Sequence, residues 1–271
     1  MKLRRSVYER LSTQRALIGF LQTHPNPTLA EMAGMCGYDF LVLDCEHGWF
    51  SEMDLLQTLQ AIGSTDIAAV MRLRGHDTRA LGRYMDMGAD GIIVPNVATP
   101  EEAKALARAM EYPPAGTRGF AAPAHRSTHF GMNLAAHLKA PRERVCLVVM
   151  IESALGVTNA EEILAVEGVD GVVIGPSDLT ADLGCLGDYS QPVYGEALAR
   201  IEQVAAARGK LLGTAPNSGH PLEALLARGH RLLIVGGDMP LIREAMSAQV
   251  ATAKSCILSE RAENLEGKDL G

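Results

Sequence analysis

Eight short runs rich in aliphatic and β-branched residues alternate with segments of helical periodicity along these 271 residues, and that alternation limits the fold more than any other feature of the chain. The runs lie at 16–21, 40–44, 68–72, 91–95, 145–151, 171–174, 211–214 and 232–235. Apolar residues at helical spacing fall between them at 53–62, 79–87, 100–110, 160–165, 194–207 and 221–227. A parallel strand can be re-entered only through a crossover, and the right-handed strand–helix–strand unit is the compact way to make one. Eight such units predict an α/β fold, a TIM (β/α)8 barrel, in a single domain over 1–271. A doubly wound sheet would more often use about five or six strands and a G-x-G-x-x-G turn, which follows none of these runs. Beyond the eighth run, 239–264 read as one long helix ahead of a polar tail at 265–271. That is more helix than closing one barrel requires, so part of it is expected to pack on another subunit. The longest irregular stretch, 112–144, is expected to be a functional loop.

With 47% apolar and 21% charged residues, the chain can bury one large core. The net charge of −7 has no basic block to offset it, which argues against nucleic acid and anionic membrane surfaces as partners. No apolar stretch approaches the roughly 18 residues of a membrane span. Five cysteines are scattered and odd in number, with no Cys-x-x-Cys pair, as expected of a reducing, cytoplasmic setting. Met-Lys-Leu-Arg-Arg is followed by Ser-Val-Tyr-Glu-Arg-Leu, where a signal peptide would need an apolar core.

In a TIM barrel the C-terminal ends of the strands converge on one mouth, so the residues leaving each run carry the chemistry. The second run delivers Asp44, Glu46 and His47, the third Arg72, the fifth Glu152, and the sixth Ser177 and Asp178. Glu152 and Asp178 are candidate ligands for a hard divalent cation, which favours one or two carboxylates completed by water and substrate. Either acid could instead be a surface group, and Asp178 could cap a helix starting at Leu179; their joint placement with Arg72 and His47 favours the metal. The turn Gly175-Pro176-Ser177 offers backbone N–H groups at a helix start for a carboxylate. An α-keto acid held there is primed to form an enolate, which Arg72 can stabilise whether or not it also pairs with Asp44. His47, the histidine directly following a strand, is the candidate general base and acid.

The segments Asp39-Phe-Leu-Val-Leu-Asp-Cys-Glu-His47, Val70-Met-Arg72, Asp86-Met-Gly-Ala-Asp-Gly-Ile-Ile-Val-Pro95, Tyr112-Pro-Pro-Ala-Gly-Thr-Arg-Gly119, Ile151-Glu152 and Val166-Glu-Gly-Val-Asp-Gly-Val-Val-Ile-Gly-Pro-Ser-Asp-Leu179 together resemble the HpcH/HpaI family of metal-dependent class II pyruvate aldolases. The resemblance implies a TIM barrel assembled as a hexamer, a trimer of dimers exchanging a C-terminal helix. It implies Glu152 and Asp178 as ligands of Mg²⁺, Mn²⁺ or Co²⁺, and Arg72 as the enolate-stabilising group. It also implies His47 and Asp86 as an acid/base dyad, Asp44 and Glu46 as supporting acids, and Arg126 as the contact to an acceptor aldehyde's distal carboxylate. The partners would then be a 2-oxo acid and an aldehyde. Two departures stand out. Met150 occupies the position where family aldolases commonly carry a Gln that helps hold the keto acid. Leu73-Arg74-Gly-His-Asp77 replaces an apolar or aromatic continuation, which points to a more basic acceptor pocket.

The expected activity is reversible cleavage of a 4-hydroxy-2-oxo acid to pyruvate and an aldehyde through an enolate held at the metal. Two rival readings are a lyase of the malyl-CoA or citryl type, for which no basic groove for CoA phosphates is evident, and a non-catalytic metal and keto-acid binding protein, motivated by Met150.

Overall fold

The computed structural model describes residues 6–139 and 145–266, with side chains up to Leu258. Eight parallel strands close into a barrel in chain order: β1 (Leu17–Gln22), β2 (Phe40–Asp44), β3 (Ala68–Arg72), β4 (Gly91–Val94), β5 (Cys146–Ile151), β6 (Gly171–Ile174), β7 (Leu211–Thr214) and β8 (Leu232–Gly237). The register runs Phe40↔Ala68 to Asp44↔Arg72 between β2 and β3, and β1 closes on β8 across an irregularity at Gly19/Phe20. A short helix, α1 (Val7–Leu11), precedes the barrel.

Strand alternation sorts the core into two compartments, because successive side chains leave a strand on opposite faces. Phe40, Val42, Ala68, Val70, Ile93, Cys146, Val148, Met150 and Val173 fill the lumen, with Val7 of α1 packed among them. Their neighbours Leu41, Leu43, Met71, Ile92, Leu147, Val149 and Ile174 face outward, under a shell of helices. That shell includes α2 (Pro27–Met35), α3 (Glu52–Ala61), α4 (Thr78–Met87), α5 (Pro100–Ala109), α8 (Ala160–Leu164) and α10 (Pro192–Ala207). Burial on both sides is why the strands read as unbroken apolar runs.

Local signals fix where helices begin. Ser51 with Asp54 and Thr99 with Glu102 form reciprocal caps at α3 and α5, each satisfying two backbone donors that the first turn leaves open. Helix α2, capped by Asn26, has no counterpart among the segments read from sequence periodicity. Its residues are almost all small or apolar, so no polar stripe marks a face. The stretch at 112–139 folds into two single turns of 3-10 helix, Ala122–Ala124 and Arg126–Thr128, and α6 (Leu134–Lys139); residues 140–144 of the expected loop lie outside the described residues.

The segments between β5 and β7 add α7 (Ala154–Thr158) and α9 (Pro176–Asp182), and α11 (Leu222–Ala227) follows β7. The final helix, α12 (Asp238–Glu266), starts on a buried acid: Asp238 accepts from the backbone N–H groups of Thr23 and His24 and from the Thr23 hydroxyl, tying the end of β8 to the end of β1. Past Asp238, every side chain from Met239 to Leu258 is exposed. The polar tail expected at 265–271 lies largely outside the described residues, and among those described no helix is long and apolar enough to cross a membrane.

A charged clasp ties α10 to the segment between α11 and β8. Glu202 of α10 takes a two-pronged bond from Arg228, at 2.8 and 2.7 Å, and meets His230 Nε2 at 2.9 Å. Burial opposes ionisation of Glu202, but the bonds from His230 and Arg228 outweigh it and hold its carboxyl below the usual range. A depressed carboxyl stabilises the fold above its unfolded-state value and loses that contribution as pH falls through the folded one. Glu202→Gln should therefore cost about 2 kcal/mol at pH 7 in urea unfolding, because His230 and Arg228 lose their charged acceptor. The difference from wild type should shrink towards zero below about pH 4.

Candidate active site at the mouth of the barrel

The lumen alternation continues into charged residues at the C-terminal ends of the strands. Phe40 and Val42 lead to Asp44, Ala68 and Val70 to Arg72, Cys146, Val148 and Met150 to Glu152, and Val173 to Gly175. These are the next inward positions above an apolar floor.

Asp44 is fully buried and saturated. Its Oδ1 accepts from Arg72 Nε at 2.9 Å and from the backbone N–H groups of Glu46 and His47 at 3.0 and 3.2 Å, while Oδ2 accepts from Arg72 Nη2 at 2.6 Å. Desolvation works against this carboxylate, yet the Arg72 fork and the two amides hold it below its ordinary range. Arg72 is thereby clamped, with Glu46 Oε2 3.3 Å from its Nε. Its Nη1 has no partner among the described residues.

Glu152 is held differently. Oε1 accepts the Asn96 backbone N–H at 2.7 Å, an approach permitted because Asn96 adopts a left-handed conformation (φ 50°). Oε2 is buried without a partner. Burial, with Glu46 and Asp178 nearby, pushes the Glu152 carboxyl up to about 7 against the pull of the Asn96 amide and Arg72. Gly175 makes the space: a Cβ there would lie 2.1 Å from Glu152 Oε2. Asp178, exposed in the first turn of α9, has no hydrogen bond or ion pair among the described residues, and the N-cap of that helix is Gly175 rather than Asp178. One orphaned buried oxygen and one unpaired carboxylate form a donor set suited to a hard cation. No cluster of three His, Cys, Asp or Glu occurs among the described residues, so water and ligand oxygens would complete such a site.

The expected carboxylate seat needs correction in its atoms. Pro176 has no N–H, and Gly175 N–H is directed at Ile151 O at 3.4 Å. The open donors of this turn are the amides of Ser177 and Asp178.

His47 is largely exposed, with Nε2 3.9 Å from Glu46 Oε2. The expected pairing of His47 with Asp86 is not made within the chain. Asp86 lies on α4, where its Oδ1 meets Arg118 Nη2 at 2.6 Å and His125 Nδ1 at 2.9 Å. Arg126 likewise departs from expectation. Its guanidinium donates to the carbonyls of Met87 and Leu59 at 3.1 and 3.0 Å, at the C-terminal ends of α4 and α3. Helices of a TIM barrel run opposite to its strands, so those ends lie away from the mouth. The last carbonyls of a helix lack intrahelical partners and attract a cation, which is the physical reason the arginine settles between these two helix ends.

The basic acceptor pocket expected from Arg74 is not formed either. Arg74 donates to the Cys45 and Phe50 carbonyls and braces the loop between β2 and α3. Cys45 is buried, which raises its thiol above the ordinary range and leaves it a packing residue. Met150 packs against the lumen with Val173, an apolar floor immediately below Glu152. Sequence reasoning missed Asn96 and the spatial need for Gly175. Asn96, two residues past β4 and directly after Pro95, is a readable signal for a left-handed turn.

Comparison with known proteins agrees with this architecture. The model of the HpcH/HpaI aldolase/citrate lyase family matches residues 18–245. The chain is 35% identical over 246 residues to a hydroxypyruvate/pyruvate aldolase of Delftia acidovorans, covering 91% of each protein. It is 34% identical over 244 residues to the 5-keto-4-deoxy-D-glucarate aldolase of Escherichia coli, covering 90% of this chain and 94% of that one. A crystal structure of a protein of the same family from Burkholderia cenocepacia superposes with a TM-score of 0.84 at 29% identity, over 91% of this chain and 98% of the other. With the family model matched over residues 18–245 and relatives named aldolases aligned over about nine-tenths of the chain, this chain belongs to the HpcH/HpaI aldolase/citrate lyase family.

Proposed function

We propose that the chain is a divalent-metal-dependent aldolase that cleaves a 4-hydroxy-2-oxo acid to pyruvate and an aldehyde, and runs the reverse addition. The observation that carries this reading is the combination, at one mouth, of a guanidinium locked by Asp44 and a buried carboxylate oxygen of Glu152 that has no protein partner. Glu152 and Asp178 would hold Mg²⁺, Mn²⁺ or Co²⁺. Such an ion supplies Lewis acidity that polarises the keto carbonyl when bound.

The remaining steps belong to side chains. In cleavage the 4-hydroxyl loses its proton, the C3–C4 electron pair becomes the C2–C3 double bond of an enolate, and negative charge collects on the C2 oxygen. Arg72 presents permanent positive charge there, and since Asp44 already fixes its orientation, little reorganisation accompanies the charge. The amides of Ser177 and Asp178 seat the keto acid's carboxylate. His47 takes the hydroxyl proton and a proton is returned at C3. Glu46, whose carboxyl burial raises, is the acid beside it. Asp86, tied to Arg118 and His125, is not used as His47's partner within one chain.

The uncovered apolar side chains of α12, among them Leu241, Met246, Val250 and Ile257, support a homo-oligomer in which this helix packs on a neighbouring subunit, a hexamer in our reading. Dispersed cysteines that form no disulfide fit a cytoplasmic setting.

Pyruvate release from a 4-hydroxy-2-oxo acid should be abolished by EDTA and restored by Mg²⁺ or Mn²⁺. Arg72→Ala should lower kcat by about 10²–10³-fold, and Arg72→Lys should recover little, because an ammonium cannot fork onto Asp44. Unchanged turnover in Arg72→Ala would overturn the assignment.

A second expectation follows from Glu152. Its folded carboxyl keeps a proton up to about pH 7, whereas the ordinary value is 4.5, so metal-free stability should decline as pH rises through that window. The decline is at most about 3 kcal/mol. Glu152→Gln removes it. In thermal melts without metal the variant should lie above wild type at pH 8 and not at pH 4, and added metal should raise the Tm of wild type alone.

A further inference from the structure

The chain's single tryptophan stands in an unusual place. Trp49 is 73% exposed, two residues after His47 in the loop between β2 and α3. An indole combines a large apolar face with a polar N–H, and at the rim of a site that face is suited to cover a bound apolar group.

The loop that carries it is fixed on every side. A Cβ at Gly48 would lie 2.1 Å from the Asp44 carbonyl and 2.6 Å from that of Thr23, so the backbone is pressed onto the strand ends. Trp49 N–H donates to Thr23 O at 3.0 Å. Phe50 is buried behind it, and Arg74 spans the Cys45 and Phe50 carbonyls. The indole rests against the His24 ring, with centroids 4.4 Å apart and planes tilted by 59°. His24 is itself set by its backbone bond to Asp238 and by the Thr23 hydroxyl, 2.9 Å from Nδ1. The result is a rigid aromatic wall on the rim, presented by the β1–α2 and β2–α3 loops.

Among the described residues, the arginines of the neighbouring loops and strands are bonded within the chain rather than turned to that wall. Arg74 is turned to the loop carbonyls, Arg126 donates to Leu59 and Met87, and Arg72 is clamped by Asp44. Glu46, three residues before Trp49, is an acid, so an aldehyde with a distal carboxylate would meet negative charge from this loop.

We infer that Trp49, supported by His24, is a specificity-determining residue that selects acceptor aldehydes presenting an aromatic or apolar group over those bearing a distal carboxylate. The inference rests on the aldolase reading above and names the acceptor class for the same site. An aromatic aldehyde can lie on the indole in the offset or edge-to-face geometry aromatic pairs prefer, a contribution of about tenfold in kcat/KM.

The test uses the full-length, metal-loaded protein in aldol addition of pyruvate to benzaldehyde, succinic semialdehyde and acetaldehyde. Wild type should favour benzaldehyde over succinic semialdehyde. Trp49→Ala should lose about tenfold in kcat/KM for benzaldehyde, carried mainly by KM, and less than about threefold for acetaldehyde. Trp49→Phe should recover most of the loss. A benzaldehyde-to-acetaldehyde ratio that does not move in Trp49→Ala, or a wild-type preference for succinic semialdehyde, would overturn the inference. So would a change in subunit number of Trp49→Ala by light scattering, which would make the indole a contact between copies of the chain. Exchange of pyruvate methyl protons into D₂O by wild type, with no aldehyde present, separates the two claims. Its absence removes the aldolase reading and the inference with it; its presence with an unmoved ratio removes the inference alone.

Discussion

The site depends on one buried carboxylate. Asp44 sits at the end of β2 with no exposure, a position that would be costly for a charge lacking partners. Four donors meet it: two from Arg72 and the amides of Glu46 and His47. The same contacts do two jobs. They fix the guanidinium at the mouth, and they fold the chain after β2 into the turn that presents Glu46 and His47. A buried pair of this kind is weak evidence for stability, since an apolar pair of similar volume often serves as well. Its value is orientation: an arginine restrained on two nitrogens keeps a third for a ligand.

Glu152 is the opposite case. It is buried like Asp44 but only half satisfied, with one oxygen on the Asn96 amide and the other bare. Fully satisfied polar groups hold a fold together, whereas a half-satisfied one is strained until something completes it. Gly175 and the left-handed Asn96 are the local concessions that keep the space around Oε2 open, so the incompleteness is built by backbone conformation as well as by side-chain choice.

The strands and the strand-end residues were legible because a barrel imposes two strict periods: burial on both faces makes each strand an apolar run, and the pleat puts alternate residues inward. Asp44, Arg72 and Glu152 follow from counting by twos. What lay beyond such counting was not legible. Helix α2 carries no amphipathic stripe. The resemblance alone brought Asp86 and Arg126 to the site, and the fold gives them other partners, since helix-terminal carbonyls and the Arg118–His125 pair are neighbours that no linear spacing announces. The atoms of the Gly175–Ser177 turn were likewise settled by which N–H groups the fold leaves open.

These two sources of position, strands and loops, divide the chemistry between them. The residues that would hold and activate a keto acid sit at strand ends, where the barrel register sets their spacing and a change in one is felt by the whole sheet. Met150 and Val173 floor that half with apolar surface, lowering the local dielectric and strengthening the field of Arg72. The residues that would face an incoming aldehyde sit on the β1–α2 and β2–α3 loops, anchored through backbone atoms of Thr23 and Trp49 rather than through the identity of the exposed side chains. A rim of this construction can change its exposed side chain without disturbing the barrel, because Trp49 contributes one N–H to the framework and its ring to the mouth. In the proposed aldolase, donor recognition would therefore be constrained by folding, and acceptor recognition by little except what the rim side chains can touch.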